Sequence, residues 1–297
     1  MRCCLCLLVG ILFWGKAFGQ QLEITADYVT SSTFKDHDGN EYGDGSLAKF
    51  SGKYDFLIST AINEQRRPII WRGSVRAVYA RLDNSGYASE YNPDQVLDAG
   101  FTLTHIRPLN DKWNIILSAG LGVHTTLDEY SMRDWLVNAV AIFVRPQSRD
   151  FQWGVGLAYL STYAVPVILP MPYIRWTYSG RYDISVSMMG IGTVTAGMRI
   201  NDHLKLNLDG LTFDNLSAIR HIDGKTKVYA STLLKSGFRP EYNRGKSTFY
   251  ANIGAVWSRS TSIVSRSYKG FFRTFNKDYR KRFGNALDVS VGFRHAF

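Results

Sequence analysis

Apolar and polar residues alternate along most of the chain with a period of two. In Lys112–Val123 the odd positions are apolar without interruption, while the even positions are mostly small and polar. Successive side chains of a β-strand point to opposite faces, so this period predicts a strand with one apolar side. The same division occurs in Phe151–Tyr163 and in the closing stretch Leu287–Phe297. We therefore expect an all-β protein.

Fourteen strands are predicted in this way. In chain order they are Leu22–Ser31, Ser46–Ile62, Ile69–Leu82, Val96–Arg107, Lys112–Val123, Trp135–Arg145, Phe151–Tyr163, Pro172–Ser179, Tyr182–Gly190, Thr193–Asn201, His203–Thr212, Thr226–Arg239, Phe249–Trp257 and Leu287–Phe297. Short connections alternate with longer ones such as Phe213–Lys225 and Arg259–Ala286, and the tiny connection Gly190–Gly192 is the exception. This order is typical of a transmembrane up-and-down antiparallel β-barrel, here of about 14 strands (12 to 16).

The aromatic residues form two bands if the strands run up and down in this order. One band, at the short-turn ends, includes Trp71, Trp113 and Trp176, and the other, at the long-loop ends, includes Tyr159 and Trp257. Amphipathic rings settle at the two interfaces of a bilayer, whereas the core of a soluble sandwich gives no reason for such bands. We therefore expect the apolar faces to contact hydrocarbon.

Residues 1–19 have the pattern of a secretory signal peptide. Arg2 precedes the apolar run Cys3–Trp14, and Ala17–Gly19 supplies small residues before the expected cleavage point. The run is shorter than the roughly 20 residues that a membrane anchor needs. All three cysteines of the chain lie in this segment. The remainder, 20–297, should form the barrel without disulfides or thiolate metal sites.

The chain is basic, with a formal net charge of +10. Loss of Arg2 and Lys16 with the signal peptide would remove two of these charges. A basic balance can indicate nucleic-acid binding, but an exported protein seldom meets nucleic acid. Anionic lipid, polysaccharide or solute is the expected counterpart, and no cofactor or metal ion is predicted.

Charged residues also fall on the inward faces of the predicted strands. The basic ones are Lys49, Lys53, Arg72, Arg76, Arg175, Arg199, Lys205, Lys235 and Arg294, and the acidic ones are Asp55, Asp98, Asp183, Asp209 and Asp288. The basic excess would favour anions in an open lumen. The alternative is a ladder of paired charges that fills a closed lumen and has no role in transport.

Two of the predicted loops are candidates for a constriction. Arg259–Ala286 combines aromatic residues with basic ones that could bind lipopolysaccharide phosphates or fold inward, namely Arg273, Lys277, Arg280, Lys281 and Arg282. A solvated loop with a short extra hairpin explains the same residues. The apolar segment Ala164–Pro172 is a candidate plug or gate, because its three prolines should bar it from regular pairing.

Catalysis would need a nucleophile beside a base. His124 is the one histidine that the pattern places inward near the long-loop end, and Ser118 lies on the same face. The two are six residues apart, which at about 3.3 Å per residue is too far for a nucleophile and its base. A membrane-embedded lipid hydrolase therefore remains an alternative that requires a partner from a neighbouring strand, and no catalytic residue is assigned.

The first predicted loop, Thr33–Gly45, here called loop one, resembles the beginning of a calcium-binding loop. Asp36, Asp38, Asn40 and Asp44 place oxygen atoms at alternate positions. However, Leu47 stands where an EF-hand has its bidentate glutamate. We therefore expect an acidic, solvated hairpin tip.

The closing residues resemble the assembly signal of bacterial outer-membrane proteins. They are Leu287, Val289, Val291, Phe293 and Phe297, with His295 at a place that is usually aromatic or aliphatic. In addition, Pro166–Met188 is similar to the proline-rich loop and hairpin of an outer-membrane β-barrel family known only as a domain of unknown function. The resemblance implies a place in the bacterial outer membrane and contact with the barrel-assembly machinery, outer-membrane lipid and lipopolysaccharide. It implies no activity.

The leading functional expectation is a channel or facilitator for small solutes, with a preference for anions. The enzyme alternative is the lipid hydrolase, and the third is a structural or surface-interaction barrel without transport. The sequence does not predict the solute, an open or plugged lumen, or the oligomeric state.

Overall fold

The chain folds almost entirely into strands. The computed structural model describes residues 19–128, 130–161, 165–189, 191–222, 224–273 and 281–297. The strands are β1 (Gln21–Lys35), β2 (Glu41–Ile62), β3 (Pro68–Asn84), β4 (Gln95–Pro108), β5 (Asn114–Thr125), β6 (Trp135–Pro146), β7 (Phe151–Leu160), β8 (Val167–Tyr178), β9 (Tyr182–Met189), β10 (Ile191–Arg199), β11 (Leu204–Ile222), β12 (Lys225–Arg244), β13 (Ser247–Ser265), β14 (Lys281–Phe283) and β15 (Ala286–Ala296). Two short helices, α1 (Tyr87–Tyr91) and α2 (Tyr268–Arg273), and a 3₁₀ turn at Met132–Asp134 lie in the connections. Among the described helices, none is both long enough and apolar enough to span a membrane.

The sheet closes into a barrel. Each strand from β1 to β13 pairs antiparallel with the next, and β15 pairs with both β13 and β1. The short β14 continues the line of β15, because Phe283 lies opposite Phe34 of β1 and Arg259 of β13. The wall thus has fourteen strand positions, the last filled by two pieces. The predicted all-β fold and the strand number are confirmed.

The outer face of the barrel is apolar. On β7, for example, Val155 and Leu157 are 58% and 57% exposed, while Gly154 and Ala158 on the opposite face are buried. Tyr159 at the long-loop end of this strand is also exposed. Contiguous exposed apolar surface of this extent is unfavourable in water and favourable in hydrocarbon. The exterior therefore suits a bilayer.

The segment Phe213–Lys225 is not the long loop that the sequence predicts. β11 continues to Ile222 and β12 starts at Lys225, so the two strands form one long hairpin. The pairing of β11 with β10 ends at Thr212, opposite Thr193. Without a neighbour on that side, the outer part of β11 is able to leave the wall.

The outer part of β11 crosses the barrel interior together with its partner residues of β12, which stay paired with β13. We call residues 213–222 and 225–234 the crossing hairpin. Ile219 pairs with Thr125 of β5, a strand on the opposite side of the barrel. The Arg220 Nη1 atom donates a 2.8 Å hydrogen bond to the Tyr91 carbonyl oxygen. The His221 Nε2 atom lies 3.1 Å from an oxygen of Asp134. The hairpin is therefore held against loops that rise from the far wall.

The apolar core lies in the barrel interior, in the half nearer the long-loop ends, which we call the outer half. It covers both faces of the crossing hairpin. One face packs against inward residues of β1–β4; the buried members include Val29, Leu47, Val78, Val96, Leu216, Tyr229, Leu233 and Val256. The other face packs against β6, β8 and α2; the members include Leu136, Val167, Leu169, Ile219, Val228 and Phe271. A barrel this wide is too large to be filled by wall side chains alone. The inserted hairpin supplies the missing layer.

The proline-rich segment was also wrongly predicted. Val167–Pro172 belongs to β8 and pairs with β7, although it contains Pro170 and Pro172. The pairing of β8 with β9 begins only at Tyr173. Because the Thr177 N–H points towards β7, the period of two turns the nitrogens of both prolines towards the unpaired side. Their missing N–H groups therefore remove no ladder hydrogen bond.

Some sequence expectations fall outside the described residues. Residues 1–18 are among these, so the signal peptide remains a prediction. The connection between β9 and β10 is short, as predicted, although residue 190 is not described.

The inner core predicts a contrast between two leucines of β11. Leu216 is 4% exposed in the core and Leu208 is 55% exposed on the outer face. Leu216→Ala should lower the free energy of unfolding by about 2–5 kcal/mol. Leu208→Ala should lower it less, because lipid fills the space that the side chain leaves. Urea unfolding in lipid vesicles, followed by tryptophan fluorescence, measures both. Equal losses would contradict an inner core at Leu216.

Candidate functional site

The crossing hairpin divides the barrel interior into two cavities. Side chains alternate along β11, so Asp214 faces one cavity while Asn215 and Ser217 face the other. The small cavity has a volume of about 280 Å³ and lies between the hairpin and β1, β2, β13 and β15. The large cavity, about 570 Å³, lies between the hairpin and β3–β8.

A chain of alternating charges lines the small cavity. Lys49 bonds to Asp214 and lies 3.3 Å from Asp27. Lys235 lies 2.8 Å from Asp288 and 3.7 Å from Asp214. Two lysines thus contact three carboxylates, so both cations are paired, and the main effect of these charges is to join β1, β2, β11, β12 and β15.

Three further cations from the predicted inward set have acidic partners. The pairs are Lys53 with Asp55 at 2.7 Å, Lys205 with Asp183 at 3.1 Å, and Arg294 with Glu23 at 3.1 Å. Asp209, also in that set, lies 3.3 Å from the Nε atom of Arg239. These residues match the paired-charge alternative.

Four arginines of the same set differ from these lysines. They are Arg72, Arg76, Arg175 and Arg199. Their side chains are exposed and, among the described residues, none has a carboxylate oxygen within 4.0 Å. They lie on β3, β8 and β10, and β3 and β10 are on opposite walls of the barrel. Their positive charge in the interior is therefore not cancelled by a direct carboxylate contact.

The large cavity is lined by polar side chains on one side and by apolar side chains on the other. Arg76, Asp98 and His124 lie on one side of it, and Leu169 and Met189 lie on the other. His124 Nδ1 is 3.3 Å from an oxygen of Asp98, its cross-strand neighbour. The acid in this cavity is thus beside a histidine, while Arg76 has no carboxylate contact in the described part of the chain.

Glycines keep one wall of the large cavity flat. Gly100, Gly120 and Gly122 line it from β4 and β5. A Cβ atom added at Gly122 would lie 2.9 Å from the carbonyl oxygen of Ala99, and one at Gly100 would lie 3.0 Å from that of Leu121. Larger residues would require the two strands to move apart.

The structure does not bring the hydrolase candidates together. Ser118 Oγ lies 2.7 Å from Thr104 Oγ1, whereas His124 contacts Asp98. A different pair, Ser247 Oγ and His295 Nδ1, is 2.8 Å apart on the outer face. In the described part of the chain no carboxylate bonds to His295, and no cluster of three His, Cys, Asp or Glu side chains is placed to hold a metal ion.

The predicted loop Arg259–Ala286, here called loop seven, lies partly against loop one and against α1, the helix between β3 and β4. Lys281 Nζ sits 5.0 Å, 4.9 Å and 5.6 Å from the ring centroids of Tyr42, Tyr87 and Tyr91. Burial raises the pKa of Tyr91 to about 12, so its ring stays neutral beneath the lysine. Arg273 ends α2 and Arg282 lies in β14, whereas Lys277 and Arg280 fall outside the described residues. The β14 part of the loop extends the wall and does not enter the lumen.

Loop one is closed by its own acidic residue. Asp36 accepts hydrogen bonds from the side chain and backbone N–H of Asn40 and from the Tyr42 hydroxyl. These bonds, chiefly that from the Asn40 side chain, lower the pKa of Asp36 to about 2. Both Asp36 oxygens are used within the turn, which agrees with the expected solvated tip.

Sequence reasoning missed several residues of the interior. Asp27 and Glu23 lie on β1 at positions whose alternation was less regular, and Asp214 lies in a segment that was predicted to be a loop. Asn215 and Ser217 were missed for the same reason. No local signal identifies them, because their position depends on the crossing of the barrel by β11.

Comparison with known families identifies one that matches nearly the whole chain. Residues 16–296 match the family described as domain of unknown function DUF6268. The chain belongs to the DUF6268 family. The predicted resemblance to an outer-membrane barrel family of unknown function is thereby confirmed. No curated protein is similar to this DUF6268 chain by sequence.

Solved structures with a similar fold are outer-membrane barrels. An outer-membrane channel from Pseudomonas putida F1 shares 11% identity, with a TM-score of 0.43 over 95% of this chain and 97% of that one. The Pseudomonas putida toluene transporter TodX shares 9% identity, with a TM-score of 0.35 over 94% and 90%. The NanC porin shares 9% identity, with a TM-score of 0.34 over 93% and 100%. At these values the likeness supports no conclusion about the function of this DUF6268 chain.

The charge chain predicts strong coupling between Lys235 and Asp288. Asp288→Ala should lower the free energy of unfolding by about 3 kcal/mol, because Lys235 then keeps only the more distant Asp214. The double change Lys235→Met with Asp288→Leu should recover most of that loss. Asp55→Ala breaks an exposed pair and should cost less than about 1 kcal/mol. Urea unfolding in vesicles compares the variants, and a double variant no more stable than Asp288→Ala would refute the coupling.

The turn of loop one predicts a titration. The folded pKa of Asp36, about 2, is below its ordinary 3.8, so its ionised form stabilises the turn above pH 3.8 and this stabilisation is lost as the pH falls through 2. Asn40→Ala should raise the Asp36 pKa towards 3.8, as followed by carboxyl ¹³C NMR with Asp36→Asn as the assignment control. Asn110→Ala, in a turn at the opposite end, should leave it unchanged; an unshifted pKa in Asn40→Ala would reject the assignment.

Proposed function

We propose that this barrel resides in the bacterial outer membrane and is a channel or facilitator for small solutes that prefers anions. The proposal rests chiefly on the four inward arginines, Arg72, Arg76, Arg175 and Arg199, which have no carboxylate contact among the described residues. The apolar exterior supports the location, since a sheet of this kind is stable only where lipid covers it.

The positions of the arginines suit a ring of positive charge around the short-turn end of the interior, because β3 and β10 lie on opposite walls of the barrel. Arg72 lies nearer the short-turn end of β3 than Arg76, and Arg175 and Arg199 lie near the same end of β8 and β10. Arg76 also lines the large cavity, farther towards the long-loop end. An anion that enters from the short-turn side would therefore meet successive positive charges in a low-dielectric wall.

The crossing hairpin closes the outer half of the interior. Its tip is held by polar contacts, those of Arg220 with Tyr91 and of His221 with Asp134, in addition to apolar packing. Passage straight through the barrel therefore requires displacement of the hairpin. We expect a gated conductance with long closed periods.

Two other regions, loop seven and the last strand, are candidates for contact with partner molecules. We propose that the remaining basic residues of loop seven, Arg273, Lys277, Arg280 and Arg282, contact lipopolysaccharide phosphates, and that Phe293 and Phe297 are read by the barrel-assembly machinery. Lys281 is a weaker candidate for lipopolysaccharide, because its ammonium group already lies over three tyrosine rings.

Charge reversal at the inward arginines tests the proposed function. In a planar bilayer with a KCl gradient, the wild-type reversal potential should show chloride permeability above that of potassium. Arg72→Glu combined with Arg76→Glu should invert this ratio, because the two exposed side chains dominate the local field.

Arg244→Glu combined with Lys246→Glu is the matched control. It makes the same change of charge at two exposed residues, the last residue of β12 and one in the short turn to β13, and should leave the permeability ratio unchanged. A bilayer that stays sealed for the wild type and for the hairpin variant His221→Ala would overturn the proposal. Such a result, with binding of isolated lipopolysaccharide, would favour the surface-interaction barrel instead.

A further inference from the structure

The barrel wall has an opening at membrane depth, on one side of the crossing hairpin. β9 and β10 have eight and nine residues, whereas β11 and β12 have 19 and 20. β8 pairs with β9 only from Tyr173 onward, and β11 pairs with β10 only up to Thr212. Beyond those residues no described strand lies between β8 and β11.

We call this opening the wall window. Pro170 and Pro172 of β8 form one side, Met189 of β9 forms the lower edge, and Asn215 and Ser217 of β11 form the other side. Above it, Val167 and Ile219 belong to one packed cluster, which joins the two strands again. Described residues therefore mark both sides and the top of the window, and Met189 marks its lower edge.

The register places the window within the apolar belt. Pro170 and Pro172 lie opposite Leu157 and Val155 of β7, two of the most exposed apolar residues of the outer face. Tyr159, which belongs to the aromatic band at the long-loop ends, lies opposite Ile168, two residues closer to that end than Pro170. The window thus opens below the outer interface, towards the acyl chains.

Two prolines allow β8 to keep an unpaired edge in contact with hydrocarbon. An unpaired strand edge normally presents N–H groups that hydrocarbon cannot satisfy, and each such group costs several kcal/mol. At Pro170 and Pro172 the exposed edge has no N–H to satisfy. The sequence therefore removes donors at the two positions of β8 that face the opening.

The large cavity connects the window to the side chain of Arg76. All five window residues line this cavity, and Arg76 and the Asp98–His124 pair line its inner side. Leu169 and Met171, next to the prolines, add apolar surface on the inward face of β8. Its volume of about 570 Å³ is within the range of sites for small ligands.

We propose that the wall window is a lateral port for single-chain amphipathic anions of the alkyl carboxylate type. The alkyl chain would occupy the window and the apolar side of the cavity, and the carboxylate would bind Arg76. A hydrophilic anion has no need of an opening to hydrocarbon, and a neutral hydrocarbon has no need of an arginine; the combination selects a molecule with both parts. This inference deepens the proposed function by naming its substrate class.

Binding can be measured in phosphatidylcholine nanodiscs. The probe is undecanoic acid with a dansyl group at its far end, its uncharged twin is the methyl ester, and empty nanodiscs give the background. The wild type should show saturable emission above background, with the acid bound more tightly than the ester. Arg76→Gln should weaken binding of the acid by about tenfold, the effect of one hydrogen bond to a charged group, and leave the ester unchanged.

A pair of tryptophan substitutions separates the cavity from the hairpin that carries it. Asn215→Trp should fill the cavity and weaken binding of both probes by at least about tenfold. Thr232→Trp changes the exposed residue directly opposite on β12, which does not line the cavity, and should bind as the wild type. Equal binding by both variants, or no saturable signal in the wild type, would overturn the proposal. Equal binding of acid and ester would overturn the role of Arg76.

Access from the lipid has its own test. The three cysteines of the chain are Cys3, Cys4 and Cys6. In a variant without these three thiols, Ser217→Cys can carry a single bimane label. Phosphatidylcholine with a nitroxide on its acyl chain should quench this label. The same label at Ser51→Cys, in the small cavity across the hairpin, should be protected. Equal protection at both positions would refute the port.

The outcomes separate the two proposals. Probe binding without ion conductance in the planar bilayer would reject the channel and leave the lateral port. Anion-selective conductance without probe binding would reject the port and leave the channel.

Discussion

The structure depends on one constraint: a backbone in hydrocarbon finds no water, so each polar group must be satisfied by the chain itself. Closure of β15 on β1 meets this constraint around the barrel. The composition follows from it, since apolar residues face outward and the polar and small residues that a soluble protein would expose face inward. The departure of β11 from the wall is possible because prolines on β8 reduce the number of donors that are left behind.

The interior solves a second problem, that of volume. A ring of fourteen strands encloses more space than its own side chains fill. Two solutions occur at different depths: the crossing hairpin brings an apolar layer into the outer half, and alternating charges join the walls around the small cavity. Ionic pairs and apolar packing thus both act as inner fillings, and the four arginines stand out because they take part in neither.

The sequence predicts the strands that contact lipid better than the segments that do not. On β5 and β7 a single environment on each face produces a clear period of two. Residues 213–222 contact protein on both faces, so their order of apolar and polar residues has no lipid-imposed period and was interpreted as a loop. The prolines of β8 were misjudged because the rule against proline in strands applies only where the nitrogen faces a paired neighbour. The inward charges could be placed, but their partners depend on contacts between strands that are distant in the sequence.

The shortness of β9 also has a mechanical consequence for the surrounding lipid. Eight residues at about 3.3 Å each, tilted by about 40°, span a height of about 20 Å, less than the roughly 25 Å apolar band of such proteins. The missing height coincides with the wall window, because β8 continues beyond the end of β9. Acyl chains on that flank therefore meet an opening where the other flanks present an apolar strand, so the order of the lipid should differ between the two sides of the barrel.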